Sequence, residues 1–342
     1  MGSSAESSNY GDSFVKVFNT GSALQVSNYF SPGDQYYRAN SACGGNGDTD
    51  FGSGAPMLVP DGENSSYPYL AVSGEKEGGI WFMDRTNPGA GGSTTCTNNS
   101  NTNVQTFPFS GSGSVGNGPH IHTSPAFWQS TVPSGDIAYL FLGSQNKPTG
   151  SSDAGYLLRY QICNTGNPIS SSSPCVQTNA YAYEQPGNPP SAIDFKWGTT
   201  PSVTARNSST YVPDALLWTI WADGSVIPNS KQFTYSGNTF SPASYGKLYA
   251  FDAASSSDPN MPKLYSSEDC VMTVNGQQLS VDRINPATKY SVPTVANGYA
   301  YVGTQGTLQD PTQCSPANDP TASCFNAGTF YIFGTFTNRQ CQ

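Results

Sequence analysis

One strand pattern occurs four times along this chain, and the repetition restricts the possible folds more than any other feature. Each copy opens with a short run containing proline, continues with a Tyr/Val/Leu-rich run, and turns at glycine into a third run with an aromatic or polar end. The first copy is Ala55–Val59, Tyr69–Val72 and Gly79–Asp84. The second is Ser124–Phe127, Ile137–Gly143 and Gly155–Tyr160, and the third is Thr200–Val203, Leu216–Ile220 and Gly246–Asp252. The fourth is Val292–Val295, Tyr299–Gly303 and Gly328–Gly334. Short apolar runs bounded by Gly, Pro, Asn and Ser are the strand signature, and no stretch sustains a 3.6-residue apolar period.

A strand unit that cannot bury both faces alone must stand beside its siblings. For antiparallel units of this size the solution is radial packing. The expected fold is therefore all-β, a β-propeller of four-stranded antiparallel blades, with about four full blades and a partial N-terminal one. A β-sandwich is the alternative, but it does not call for the same grammar four times. The sequence divides as a tail over 1–9 and blades over roughly 10–45, 46–115, 116–192, 193–284 and 285–342, all in one propeller domain or a fragment of one. Ser13–Phe18 and Leu24–Phe30 read as the outer strands of a blade whose inner strands are missing. Either they complete the last unit and close a small ring, or the chain is part of a larger ring.

Composition fits a turn-rich globular protein. Charged residues are only 11%, while aromatics reach 12%, with 20 Tyr and 17 Phe, and so much ring surface needs a core or a binding face. The net charge of −9 and the absence of any basic run argue against nucleic acid or an anionic membrane surface as partner. No apolar stretch is long enough to span a bilayer as a helix. The N-terminus has neither a basic start nor an apolar core, so it is not a signal peptide.

The 8 cysteines form no CxxC pair, and with 2 histidines a zinc-finger reading fails. An even number scattered through Gly/Ser/Thr-rich loops points to disulfides and an oxidising compartment, extracellular or periplasmic. The short loops suggest Cys163–Cys175 and Cys314–Cys324; free buried thiols are the alternative. Sequons for glycosylation begin at Asn64, Asn98 and Asn207.

Two segments carry a family likeness. Gly246-Lys247-Leu248-Tyr249-Ala250-Phe251-Asp252-Ala253 and the run from Tyr290 to Thr304 resemble the blade motif of the PQQ-like (pyrroloquinoline-quinone-type) repeat propellers. More narrowly, Tyr10–Ser13, Asp48–Gly54, Gly74–Gly78 and Met83–Arg85 are similar to segments of large secreted bacterial members. The likeness runs over roughly residues 9–335. It implies the propeller fold, and further blades upstream of the residues present here. Catalytic members hold the quinone beneath an adjacent Cys-Cys pair, which this chain lacks, and it has only 5 Trp for their repeated docking motifs. PQQ as cofactor is thus suggested by the likeness alone.

In a propeller, the loop entering each innermost strand and the loop joining the second and third strands lie on one face, around the channel mouth. The entry loops carry Asp48 and Asp50, His120 and His122, Asp194 with Lys196 and Trp197, and Lys289. The second-to-third loops carry Glu75, Lys76 and Glu77, then Lys147 and Asp223. Gly118-Pro119-His120-Ile121-His122-Thr123 is the sharpest motif. In an extended segment residues i and i+2 project to one side, roughly 6–7 Å apart at Cα, so the imidazoles can share an ion. With Asp48, Asp50 or Glu75 the donor set suits a transition metal such as zinc, copper or iron rather than calcium. The other reading has the rings bonded to loop carbonyls.

Asp48-Thr49-Asp50 lacks the rest of a calcium loop and reads equally as carboxylates capping a Gly-rich turn. Glu75-Lys76-Glu77 is either a solvated turn or a point where Lys76 holds an anion or a quinone carboxylate. Arg85 is expected to pair with a nearby carboxylate. Gly52-Ser53-Gly54 is a turn rather than a nucleophile elbow. Paired-carboxylate glycoside hydrolysis through Asp48, Asp50 and Asp194 has no spacing in its favour.

Two functions follow: an extracellular binding or scaffold module taking a small molecule, protein or glycan at the channel mouth, or a quinone- or metal-dependent oxidoreductase at the same face.

Overall fold

The computed structural model describes residues 12–32, 51–76, 78–88, 104–108, 120–132, 135–144, 155–169, 180–183, 193–195, 198–205, 215–222, 233–235, 238–240, 246–254, 260–269, 271–274, 277–280, 284, 287, 291–304 and 329–334. They form an all-β fold of small antiparallel sheets, with one 3-10 turn at Phe51–Ser53 and no α-helix among the described residues. None of these elements is a helix long and apolar enough to cross a membrane. The chain divides into two compact units, Met1–Tyr181 and Ala182–Gln342.

The first unit begins with a hairpin of β1 (Phe14–Asn19) and β2 (Leu24–Phe30). A first sheet follows in simple order: β3 (Met57–Leu58), β4 (Leu70–Gly74), β5 (Gly79–Asp84) and β6 (Gln105–Pro108). A second sheet runs β7 (Ala126–Val132), β8 (Gly135–Gly143), β9 (Leu157–Ile162) and β10 (Ala180–Tyr183).

The first sheet is buried on both faces, and alternation along β5 explains why. Trp81 and Met83 pack with Phe30, Phe51 and Ala71 on one side. Ile80 and Phe82 pack with Leu140, Leu142, Leu158 and Tyr160 of the second sheet on the other. β5 is a nearly continuous apolar run for this reason: in a sheet with neighbours on both sides, neither row meets water. Phe30, Phe51 and Trp81 meet as tilted and edge-on rings, with centroids 5.6–5.9 Å apart. A two-layer sandwich gives each sheet a single inner face, and so does not match this serial packing.

The second unit contains β11 (Ser202–Ala205), β12 (Ala215–Ala222), a hairpin of β13 (Phe233–Tyr235) and β14 (Asn238–Phe240), then β15 (Gly246–Asp252) and β16 (Met261–Ser266). Strands β11, β12, β15 and β16 pair successively as a third antiparallel sheet. Ala182 and Tyr183 pair in parallel with Met261 and Pro262, a departure from the expected purely antiparallel plan. A hairpin of β17 (Val271–Val274) and β18 (Gln277–Ser280) precedes a three-stranded fourth sheet of β19 (Thr294–Ala296), β20 (Tyr299–Gly303) and β21 (Phe330–Phe333). Ile220, Leu248 and Ile284 pack against Ala300, Val302 and Phe333 of the fourth sheet. Its first turn is Asn297-Gly298, with φ of 53° and 78°, the left-handed pair that a two-residue hairpin needs to match strand twist.

Among the sequence-expected strands, Gly79–Asp84, Gly246–Asp252 and Tyr299–Gly303 agree with β5, β15 and β20 end to end.

Asn64 is a finding of its own. Its side chain is buried, donates to the carbonyls of Cys163 (2.9 Å) and Gly166 (3.1 Å), and accepts from the backbone N–H groups of Ser66 and Tyr67. The sequon at Asn64 is therefore structural, its amide nitrogen committed to bonds that tie two loops together. We expect no glycan at Asn64 in protein secreted from a eukaryotic host, by peptide mass mapping. Asn64→Ala should cost about 1–3 kcal/mol in a urea titration, because it leaves buried partners unsatisfied.

Candidate functional site

The described part of the site is built where the end of β4 meets the segment entering β7. Glu75 and Lys76 sit in the turn between β4 and β5, which closes through Glu75 N–H to the Gly79 carbonyl (2.9 Å) and Gly78 N–H to the Glu75 carbonyl (3.0 Å). Gly78 has φ of 81°, a left-handed conformation that only glycine adopts without strain. The entering segment lies across this turn: Ile121 N–H donates to the Glu75 carbonyl (3.3 Å). Ser53 Oγ donates to the Ile121 carbonyl (2.7 Å), and Thr123 Oγ1 donates to the Gly143 carbonyl at the end of β8 (2.7 Å).

Two glycines permit the approach. An added Cβ at Gly74 would stand 2.3 Å from Ile121 Cγ2, and one at Gly54 would stand 2.5 Å from the Thr123 carbonyl oxygen. Ile121 is anchored in the core between the first and second sheets, so its neighbours His120 and His122 turn to the opposite side. Their rings meet edge to face with centroids 5.7 Å apart, as the extended reading of the His-x-His motif requires.

The structure thus brings an entry segment and a second-to-third turn to one place. Glu75 is fully buried, which overturns the solvated-turn reading at that residue; Lys76 is half-buried. A carboxyl taken out of water is costly unless its oxygens are compensated, so its retention here marks a built feature rather than a surface accident. Arg85 pairs with Asp61, as expected, and also donates to the Val59 carbonyl. Ser53 lies in the 3-10 turn, consistent with its reading as a turn residue.

The second unit ties an entry segment to its own sheet. Asp194, in the segment preceding β11, accepts at its carbonyl from Trp221 Nε1 (2.9 Å) near the end of β12. Lys247, at the start of β15, lies 4.7 Å from the centre of the Trp221 ring and forms an ion pair with Glu268 (2.8 Å). Trp221, Lys247 and Glu268 were not singled out from the sequence. The signal for Trp221 and Lys247 was their place at the ends of the second and third runs, where strands deliver side chains to that face.

Asp48, Asp50, Glu77, Lys147, Lys196, Trp197, Asp223 and Lys289 lie outside the described residues, as do Cys175, Cys314 and Cys324. Cys163 is the one cysteine among the described residues; it is buried and disulfide-bonded, to a partner outside them. Among the described residues no three His, Cys, Asp or Glu side chains gather as a metal would require. The two imidazoles supply two donors where a protein metal site ordinarily has three or more.

No family model matches the chain, and no curated protein matches it in sequence.

Proposed function

We propose that this chain is a secreted repeat propeller of the PQQ-like kind, extracellular or periplasmic, that works as a binding or scaffold module through the face that carries Glu75, His120 and His122 in the first unit. The observation that carries the reading is the convergence of an entry segment on a second-to-third turn, built in the first unit by Ile121 and Glu75. Serial packing of the first sheet on both sides supports the radial arrangement. Loops held this way form a shaped surface suited to a small molecule, a glycan or an extracellular protein.

The test is calorimetric titration of the protein with PQQ, Zn²⁺, Cu²⁺ and a panel of neutral oligosaccharides. The binding-module reading expects saturable oligosaccharide binding that His122→Ala weakens about 10-fold, about 1.4 kcal/mol, and no tight binding of quinone or metal. Stoichiometric quinone uptake together with dye-linked oxidation of an alcohol would sink it.

The edge-to-face histidine pair favours a second reading, a metal- or quinone-dependent oxidoreductase at the same face. Elemental analysis and an absorption spectrum decide it. If His120→Ala leaves bound metal and dye-linked oxidation unchanged, that reading is lost.

A further inference from the structure

Register splits a third strand into two rows on opposite faces of its sheet. In β5 the backward row is Trp81 and Met83, and the forward row is Ile80 and Phe82. In β21 the backward row is Tyr331 and Phe333, packed with Ile220 and Leu248 of the third sheet. The forward row is therefore Phe330 and Ile332, paired across to Gly303 and Tyr301.

The glycine-led motifs Gly78–Asp84, Gly246–Asp252 and Gly328–Gly334 align without a gap. Phe330 and Ile332 thus stand where Ile80 and Phe82 stand in the first sheet, and Leu248 and Ala250 in the third. Those four residues are 0%, 0%, 0% and 2% exposed, whereas Phe330 is 65% and Ile332 59% exposed. Tyr299 and Tyr301 extend the open row, with ring centroids 6.3 Å apart and Tyr301 stacked 6.0 Å from Phe330. This face has the chemistry of a covered row and, among the described residues, no cover.

The matching surface lies on the first hairpin. Phe14 and Phe30 of β1 and β2 pack toward the first sheet. The opposite row pairs Val15 with Tyr29, Val17 with Val26 and Asn19 with Leu24. It carries no charge, and Val17 and Leu24 are 53% and 73% exposed. Most exposed large apolar side chains among the described residues belong to these two sheets. Apolar faces of this kind mark interaction sites.

We propose that the Tyr299–Tyr301–Phe330–Ile332 face receives the outer row of β1–β2 from a second copy of this chain, head to tail, continuing the serial packing of the sheets. Such a contact is heterologous, so each copy keeps one free face of each kind until a ring closes or a filament grows. The proposal rests on sheet register and is independent of what the histidine-bearing face binds.

Sedimentation velocity over a concentration series tests it. The intact protein should show a mass that rises above 36.1 kDa with concentration. Ile332→Lys and Leu24→Lys should each weaken self-association at least about 10-fold with an unchanged melting temperature. An equimolar mixture of the two variants should restore a one-to-one pair and nothing larger, since each retains one intact face. A protein that stays monomeric to about 100 μM, or associates equally well with either substitution, overturns the proposal. So does a monomer whose melting temperature falls on Ile332→Lys, because the face is then covered within one molecule.

Discussion

Phe82→Ala is expected to remove about 3–5 kcal/mol of stability, read from the urea midpoint of tryptophan fluorescence. Phe82 is fully buried and joins the first and second sheets through a cluster with Val72, Leu140, Leu158 and Tyr160. The ring meets side chains from two sheets that do not share hydrogen bonds, so neither can close over the space it leaves. Total stabilities of about 5–15 kcal/mol make this a large share. A loss below about 1 kcal/mol would show that the two sheets are not held together here.

Gly74→Ala is expected to cost about 1–3 kcal/mol and also to displace the histidine segment. The new methyl would land 2.3 Å from Ile121 Cγ2 and 3.0 Å from its Cβ. Isoleucine is branched at Cβ, so rotation brings another substituent toward the same space. The strain then passes to the backbone of Ile121, which hydrogen-bonds the Glu75 carbonyl and carries His120 and His122 on either side. Ile121→Ala removes Cγ2, so the double variant should be less destabilised than the sum of the two single changes. The imidazole ¹H–¹⁵N resonances should shift in Gly74→Ala. Strict additivity would show that the close contact is not the cause.

How far the sequence exposed this architecture depends on which strands have two neighbours. Strands β5 and β15 were readable to the residue because two buried rows turn a strand into an apolar run stopped by glycine or a polar residue, and β20 because the Asn297-Gly298 turn and Gly303 bound it. The fourth strands, β6, β10 and β16, were not located. They carry mixed residues, with Pro108 and Pro262 inside them, which weakens any strand signal. Hairpins β13–β14 and β17–β18 went unread because runs of three or four residues have no measurable period.

At the candidate site, the His-x-His geometry was legible because it is local: two residues apart in an extended chain face one way. Burial of Glu75 was not, since a Glu-Lys-Glu turn looks like a solvent-exposed one until Ile121, far along the chain, lies over it. The pairing of Arg85 with Asp61 was anticipated only as some local carboxylate, because the partner comes from the loop on the other side of β4.

A sheet clothed on both sides has no outer surface of its own, and the first sheet is in that position. Excising the segment from Met57 to Pro108 would therefore bare two unrelated surfaces at once, the phenylalanine-rich one behind it and the leucine-rich one ahead. Those surfaces never evolved to touch, so the shortened chain should clump rather than heal. Deletion is then tolerable only for a sheet packed on one side, where a single contact is lost.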